Sequence, residues 1–125
     1  MKIYYAHPMS WYDTEKEAAD LRLLEGRFTK VINPNAHSFR AAVKTAKANG
    51  QNSMKPFLHA VESCDGVAWR AFKNGKVGAG VAAEVFHALM LGKPVYRLPD
   101  LAKCAFHLDD VASMAYTQQL LKQPI

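Results

Sequence analysis

Cysteine is scarce in this chain. There are two in 125 residues, Cys64 and Cys104, far apart and outside any CxxC spacing. That excludes a disulfide-stapled scaffold and leaves zinc and dithiol redox centres unsupported. Proline and glycine are equally sparse, at six and seven, which excludes collagen-like and low-complexity chains. No apolar run approaches the roughly 20 residues that a membrane-spanning helix needs. The opening MKIYYAHPMSWYDTE lacks the long apolar stretch of a signal peptide. Carboxylates are scarce in one long window. Residues 26 to 99 hold only Glu62, Asp65 and Glu84, against Arg27, Lys30, Arg40, Lys44, Lys47, Lys55, Arg70, Lys73, Lys76, Lys93 and Arg97.

What remains is an ordinary globular composition, half hydrophobic and 22% charged, with a net charge of +5. The expectation is a single domain over residues 1–125, with free thiols, in the cytoplasm. The positive window suggests a small anionic ligand. Nucleic acid is a weak candidate, because the basic helix bearing Arg40, Lys44 and Lys47 has no aromatic interleaving.

Along the chain, strand and helix signals alternate. Lys2–Ala6 reads as a first strand, stopped at His7-Pro8. Thr14 with Glu17 forms a capping box for a helix over about 14–28, with Ala18, Leu21, Leu24 and Phe28 as its inward stripe. A short strand at Val31-Ile32 precedes the Asn33-Pro34-Asn35 turn and a helix over 38–48. A third helix is capped by Ser53. A buried strand follows at 66–69, then a Gly-rich loop over 73–80. A helix over 81–91 ends at Gly92, and a strand at 95–98 follows it. Residues 104–108 suggest a last strand and 109–122 a terminal helix. This order predicts an α/β fold with a parallel sheet of four to five strands, covered on both faces.

Ligands of such sheets bind beyond the carboxyl ends of the strands. Three loops therefore draw attention, at 7–13, 33–37 and 70–80. They offer His7, Pro8, Met9 and Trp11 from the first, Asn35 and His37 from the second, and Trp69, Lys73, Lys76, Gly78 and Gly80 at the third as ligand-lining residues. The third loop resembles an anion cradle, with glycines, two lysines and a helix N-terminus beyond it. It is neither a Walker motif nor GxGxxG. Glu84 falls near the start of the following helix, where the helix dipole would keep a carboxylate ionised as a nucleophile. Asp65, if brought to the same cleft, would complete a carboxylate pair of the kind that cleaves glycosidic bonds. The histidines show no metal-ligand spacing, and no metal or cofactor is expected.

Lys2-Ile3-Tyr4-Tyr5-Ala6-His7-Pro8, the segment Gly80-Val81-Ala82-Ala83-Glu84, and Ala88 with Gly92-Lys93-Pro94 together resemble the nucleoside 2-deoxyribosyltransferase family and its deoxynucleotide N-hydrolase relatives. The resemblance implies a flavodoxin-like (Rossmann-like) three-layer sandwich that assembles as a homo-oligomer, a dimer or tetramer. It also implies cleavage or transfer at the N-glycosidic bond of a nucleoside or nucleotide. Glu84 would be its nucleophile, Tyr4 would orient Glu84 by a hydrogen bond, and Asp65 would assist proton transfer or hold the sugar. His7, Gly78 and Phe86 depart from the family pattern. They favour an alternative, a non-catalytic nucleotide-binding or nucleotide-sequestering module on the same fold.

Overall fold

The computed structural model describes residues 1–123. Four strands, β1 (Lys2–Ala6), β2 (Lys30–Ile32), β3 (Gly66–Trp69) and β4 (Val95–Arg97), form one parallel sheet in the order β2-β1-β3-β4. The helices are α1 (Glu15–Arg27), α2 (His37–Ala48), α3 (Lys55–Ser63), α4 (Ala79–Met90) and α5 (Met114–Leu121). The architecture is the expected α/β three-layer, flavodoxin-like one, with four strands. Among the described residues no helix is long and apolar enough to cross a membrane.

Alternation along the strands sorts the core into two clusters, because successive strand residues face opposite sides of a sheet. Tyr4, Ala6, Val67, Trp69 and Val95 pack with Val61 of α3 and with Val81, Val85 and Ala88 of α4. Ile3, Tyr5 and Ala68 pack on the other side with Leu24 and Phe28, at the end of α1, and with Leu98 and Leu101. A small satellite core of Phe72, Ala112 and Leu120 holds α5 to the rest.

Strand order fixes where a ligand can lie. The chain runs from β1 outward to β2, then returns to place β3 on the other side of β1. The connections diverge at β1 and β3, and the crevice of such a sheet opens beyond the carboxyl ends of those two strands.

Two expectations are corrected at the C-terminal end. Residues 104–108 form no strand; the segment lies over the sheet, its Cys104 carbonyl accepting the Trp69 indole N–H at 2.9 Å. The helix expected over 109–122 is divided. Leu108–Asp110 make one 3-10 turn, Val111 bridges to Val77, and Ser113 then caps α5 by accepting the Tyr116 N–H at 3.0 Å. The third helix begins at Lys55, and no side chain caps it.

Close approach explains two residues. A Cβ on Gly66 would stand 2.8 Å from the Pro94 carbonyl oxygen, so β3 can enter beside β4 only with glycine there. Lys93 closes the C-terminal end of α3: its ammonium donates to the carbonyls of Val61, Glu62 and Cys64 at 3.1, 2.5 and 2.6 Å. The Val61 carbonyl also accepts the Cys64 N–H at 3.1 Å, whereas those of Glu62 and Cys64 lie past the last backbone donor of the helix. Lys93→Met is expected to lower stability by about 1–3 kcal/mol, read from a urea unfolding curve; an unchanged midpoint would show that water serves these carbonyls as well.

Candidate functional site

Tyr4 lies in the middle of β1, and its side chain crosses to α4, where its hydroxyl donates to Glu84 Oε2. Both groups are buried, Glu84 with 6% of its surface exposed. Glu84 is the sixth residue of α4, because the helix starts at Ala79 rather than at Val81. It therefore sits in the second turn, past the reach of the N-terminal dipole. Burial decides its protonation: desolvation raises its pKa to about 8, against a smaller lowering by the Tyr4 hydrogen bond. The expectation of a carboxylate held ionised by the helix dipole is thus overturned. Near neutral pH this setting favours the protonated form of Glu84. Burial beside Glu84 also raises the Tyr4 pKa.

The end of β1 builds the adjoining wall. The His7 Nδ1–H donates to the Tyr5 carbonyl at 3.0 Å, and Nε2 meets Glu17 Oε2 at 2.8 Å. Burial lowers the His7 pKa, and the Glu17 hydrogen bond opposes it. The imidazole stacks on Tyr5 at 3.6 Å, and its centroid lies 5.0 Å from that of Tyr12. Glu17 also accepts from the Asp13 N–H at 3.2 Å and from Asn35 Nδ2 at 3.0 and 3.2 Å. Asn35 in turn donates to Asp13 and accepts from Arg40, at 3.0 and 2.9 Å.

Tyr12 joins the two halves. It is half-buried, and burial first, then the charges of Glu84 and Glu17, raise its pKa against the lowering effect of Arg40. Its neighbour Asp13 takes a positive φ of 61° at the corner of the loop. On the other face of the sheet Arg70 grips Asp20 through two nitrogens, Nε at 3.0 Å, and Tyr5 donates to the same carboxylate at 2.6 Å. The Arg70 guanidinium lies 5.6 Å from the Trp11 ring centroid.

Of the residues expected to line the site, His7, Pro8, Met9, Trp11 and Asn35 belong to this end of the molecule. Pro8 and Trp11 are buried and Met9 is exposed, so the loop shows only part of itself to a ligand. His37 begins α2 and is exposed. Asp65 does not join Glu84. It precedes β3 at the amino edge of the sheet, where its carboxylate accepts the Lys2 N–H at 2.7 Å and its own N–H donates to the Lys2 carbonyl at 2.8 Å. Four residues of β3, roughly 13 Å of strand at about 3.3 Å each, separate it from the carboxyl edge. Trp69 is also turned from a ligand. It is buried, bonded to the 104 carbonyl and edge-on to Phe106.

The loop expected as an anion cradle is partly engaged within the chain. Lys76 lies 3.8 Å from Asp110, Gly78 is covered by Phe72 and Thr117, and the Ala79 N–H donates to the Thr117 hydroxyl at 3.0 Å. Gly80 is half-buried near Met54, and Lys73 is exposed on the turn. Among the described residues no cluster of histidine, cysteine or carboxylate side chains could hold a metal ion.

Glu17, Asp20, Arg70 and Arg40 were absent from the expected site. Glu17 reads in the sequence as half of a capping box, and Thr14 does accept its N–H at 3.3 Å. Its carboxylate goes to His7, Asp13 and Asn35 instead. The available signal was spacing. Glu17, Asp20 and Leu24 form the buried stripe of α1, while Ala18 is exposed. Comparison with protein-family models, curated proteins and solved structures finds no match.

Glu84 keeps its proton in the folded state up to about pH 8, whereas the unfolded chain releases it near the ordinary carboxyl value of 4.5. Its contribution to stability is therefore full below the unfolded pKa and lost as pH rises through the folded one. Glu84→Gln keeps an acceptor for Tyr4 and has no charge to bury. The variant is expected to melt close to wild type at pH 4 and to be more stable by a few kcal/mol at pH 9. Equal melting temperatures across that range would show that Glu84 ionises freely.

Proposed function

We propose that the chain cleaves or transfers at the N-glycosidic bond of a nucleoside or nucleotide, with Glu84 as nucleophile. The observation that supports this reading is the buried Tyr4–Glu84 hydrogen bond between β1 and α4. In the reaction, the ionised carboxylate would attack the anomeric carbon as the bond from carbon to the base nitrogen breaks. The base would leave with the bonding electrons and take up a proton, and water or a second base would then release the sugar from the Glu84 ester. Tyr4 would hold one carboxylate oxygen and so aim the other. Asp65, at the amino edge of the sheet, no longer fits the role of proton donor, and the leaving base would take its proton from water.

A non-catalytic, nucleotide-binding module is the second reading. It is favoured by one observation, the raised pKa of Glu84, which leaves little nucleophile at neutral pH. The homo-oligomer implied by the resemblance is supported by Phe86, Leu89 and Met90, exposed together on α4. A reducing, cytoplasmic setting fits the free thiols Cys64 and Cys104.

Chromatographic detection of free base from a panel of nucleosides and nucleotides separates the two readings. The enzyme reading expects base release whose kcat/KM climbs with pH and levels off above about 8, following the ionised fraction of Glu84. Glu84→Ala is expected to abolish release. Tyr4→Phe is expected to cost about 100-fold and to move the pH midpoint upward, since Tyr4 is the one group lowering the Glu84 pKa. Ligand binding with no base released from any compound would leave the binding module.

A further inference from the structure

The positive charge of the chain is unevenly placed. Residues 26–61 hold six bases, Arg27, Lys30, Arg40, Lys44, Lys47 and Lys55, and no carboxylate. The rest of the chain holds ten bases and eleven carboxylates, so the whole positive excess belongs to this segment. All six bases are exposed, and among the described residues none of them is in an ion pair. Like charges left uncompensated repel one another, and an anionic partner relieves that repulsion.

Helix α2 gathers three of the six into a line. Its inner face is Phe39, Ala42, Val43 and Ala46, with Ala46 buried and the Phe39 ring stacked on Phe57 of α3 at 5.5 Å. Arg40, Lys44 and Lys47 follow at i, i+4 and i+7, within about 60° of arc and about 10.5 Å of helix axis. Arg40 donates to the Asn35 amide oxygen at 2.9 Å, a neutral partner that leaves its charge in place. One strand of a DNA duplex offers a phosphate for about every 3.4 Å of axis, which is about three over that length.

The rest of the exposed surface of α2 decides which anionic partner fits. It consists of His37, Ser38, Ala41, Thr45 and Ala48, and no large apolar side chain is exposed anywhere in residues 26–61. A membrane surface is gripped by apolar side chains inserted beside the bases, and a protein partner by aromatic or aliphatic anchors. A single nucleic-acid strand is held by aromatic platforms. Helix α2 offers none of these. Duplex phosphates need only cations, so the missing aromatic interleaving counts against single strands and not against a duplex. A convex helix about 10–12 Å across also suits the major groove of B-form DNA, about 12 Å wide, whereas that of A-form RNA is too narrow.

We propose that α2 is a docking surface for duplex DNA, holding its phosphates through Arg40, Lys44 and Lys47 without reading bases. The proposal makes no use of Glu84 and stands whether or not base is released.

Fluorescence anisotropy with a labelled duplex of about 20 base pairs, roughly two turns, tests it across a salt series. Wild type is expected to bind at low salt, with log K falling against log salt at a slope of about −3, as three phosphate contacts require. Lys44→Gln with Lys47→Gln is expected to bring the slope to about −1 and to weaken binding about tenfold or more. Arg22→Gln with Lys103→Gln removes the same net charge from exposed positions elsewhere and is expected to keep the wild-type slope. Equal losses in the two double variants would overturn the proposal, because net charge alone would then account for binding. Absence of binding at low salt would overturn it too. So would tighter binding of the single strand, of polyglutamate or of anionic phospholipid vesicles at equal charge concentration.

Discussion

The structure depends on β1 being buried on both faces while carrying two adjacent tyrosines. Alternation sends Tyr4 and Tyr5 to opposite sides of the sheet, and each phenol must find a partner in a dry layer. Tyr5 meets Asp20 of α1, and Tyr4 meets Glu84 of α4. Each helix is thereby fastened to the central strand by a hydroxyl–carboxyl bond. The two bonds differ in one respect. Asp20 also faces the Arg70 guanidinium, so its charge is compensated. Glu84 has no cation beside it among the described residues, and desolvation raises its pKa to about 8. One carboxylate is a structural anchor; the other is held away from its preferred state, which is where reactive groups are found.

The same strand ends at His7, and the polar wall beyond it follows from that. A buried imidazole with both nitrogens bonded needs a fixed acceptor, and Glu17 supplies it from α1. Glu17 is in turn held by Asn35 and by the Asp13 amide, which ties together the first two loops at the carboxyl edge of the sheet. The loop over 7–13 is therefore braced, with the Tyr12 ring 5.0 Å from that of His7. Four of the eleven bases along residues 26–99 are engaged in the fold, Arg70, Lys76 and Arg97 by Asp20, Asp110 and Asp100, and Lys93 by the end of α3.

The strand at 66–69 and the two ends of β1 were readable because apolar runs and breakers bound them closely. The first helix was readable from its cap, although its inward stripe was assigned to Ala18 rather than to Glu17 and Asp20. Hydrophobic periodicity cannot show a buried carboxylate, because the partner that makes burial tolerable lies on another element. Asp65 was legible against its expected role. A residue just before a parallel strand lies at the amino edge, away from the crevice. The strand expected at 104–108 failed because that segment satisfies Trp69 rather than extending the sheet.

By itself the sequence determined the layers: period-2 and period-3.6 patterns, glycine and proline stops, and the alternation that divides β1 between two cores. The meeting of Tyr4 with Glu84 was implied by the family resemblance alone, and no local pattern gave it. Only tertiary structure decided their chemistry, since a carboxyl pKa depends on the water and charges around it. Tertiary structure likewise decided that the Gly-rich loop meets Thr117 at Ala79 and Asp110 at Val77 and Lys76, residues that arrive from the far end of the chain. Local spacing carries no record of such a contact.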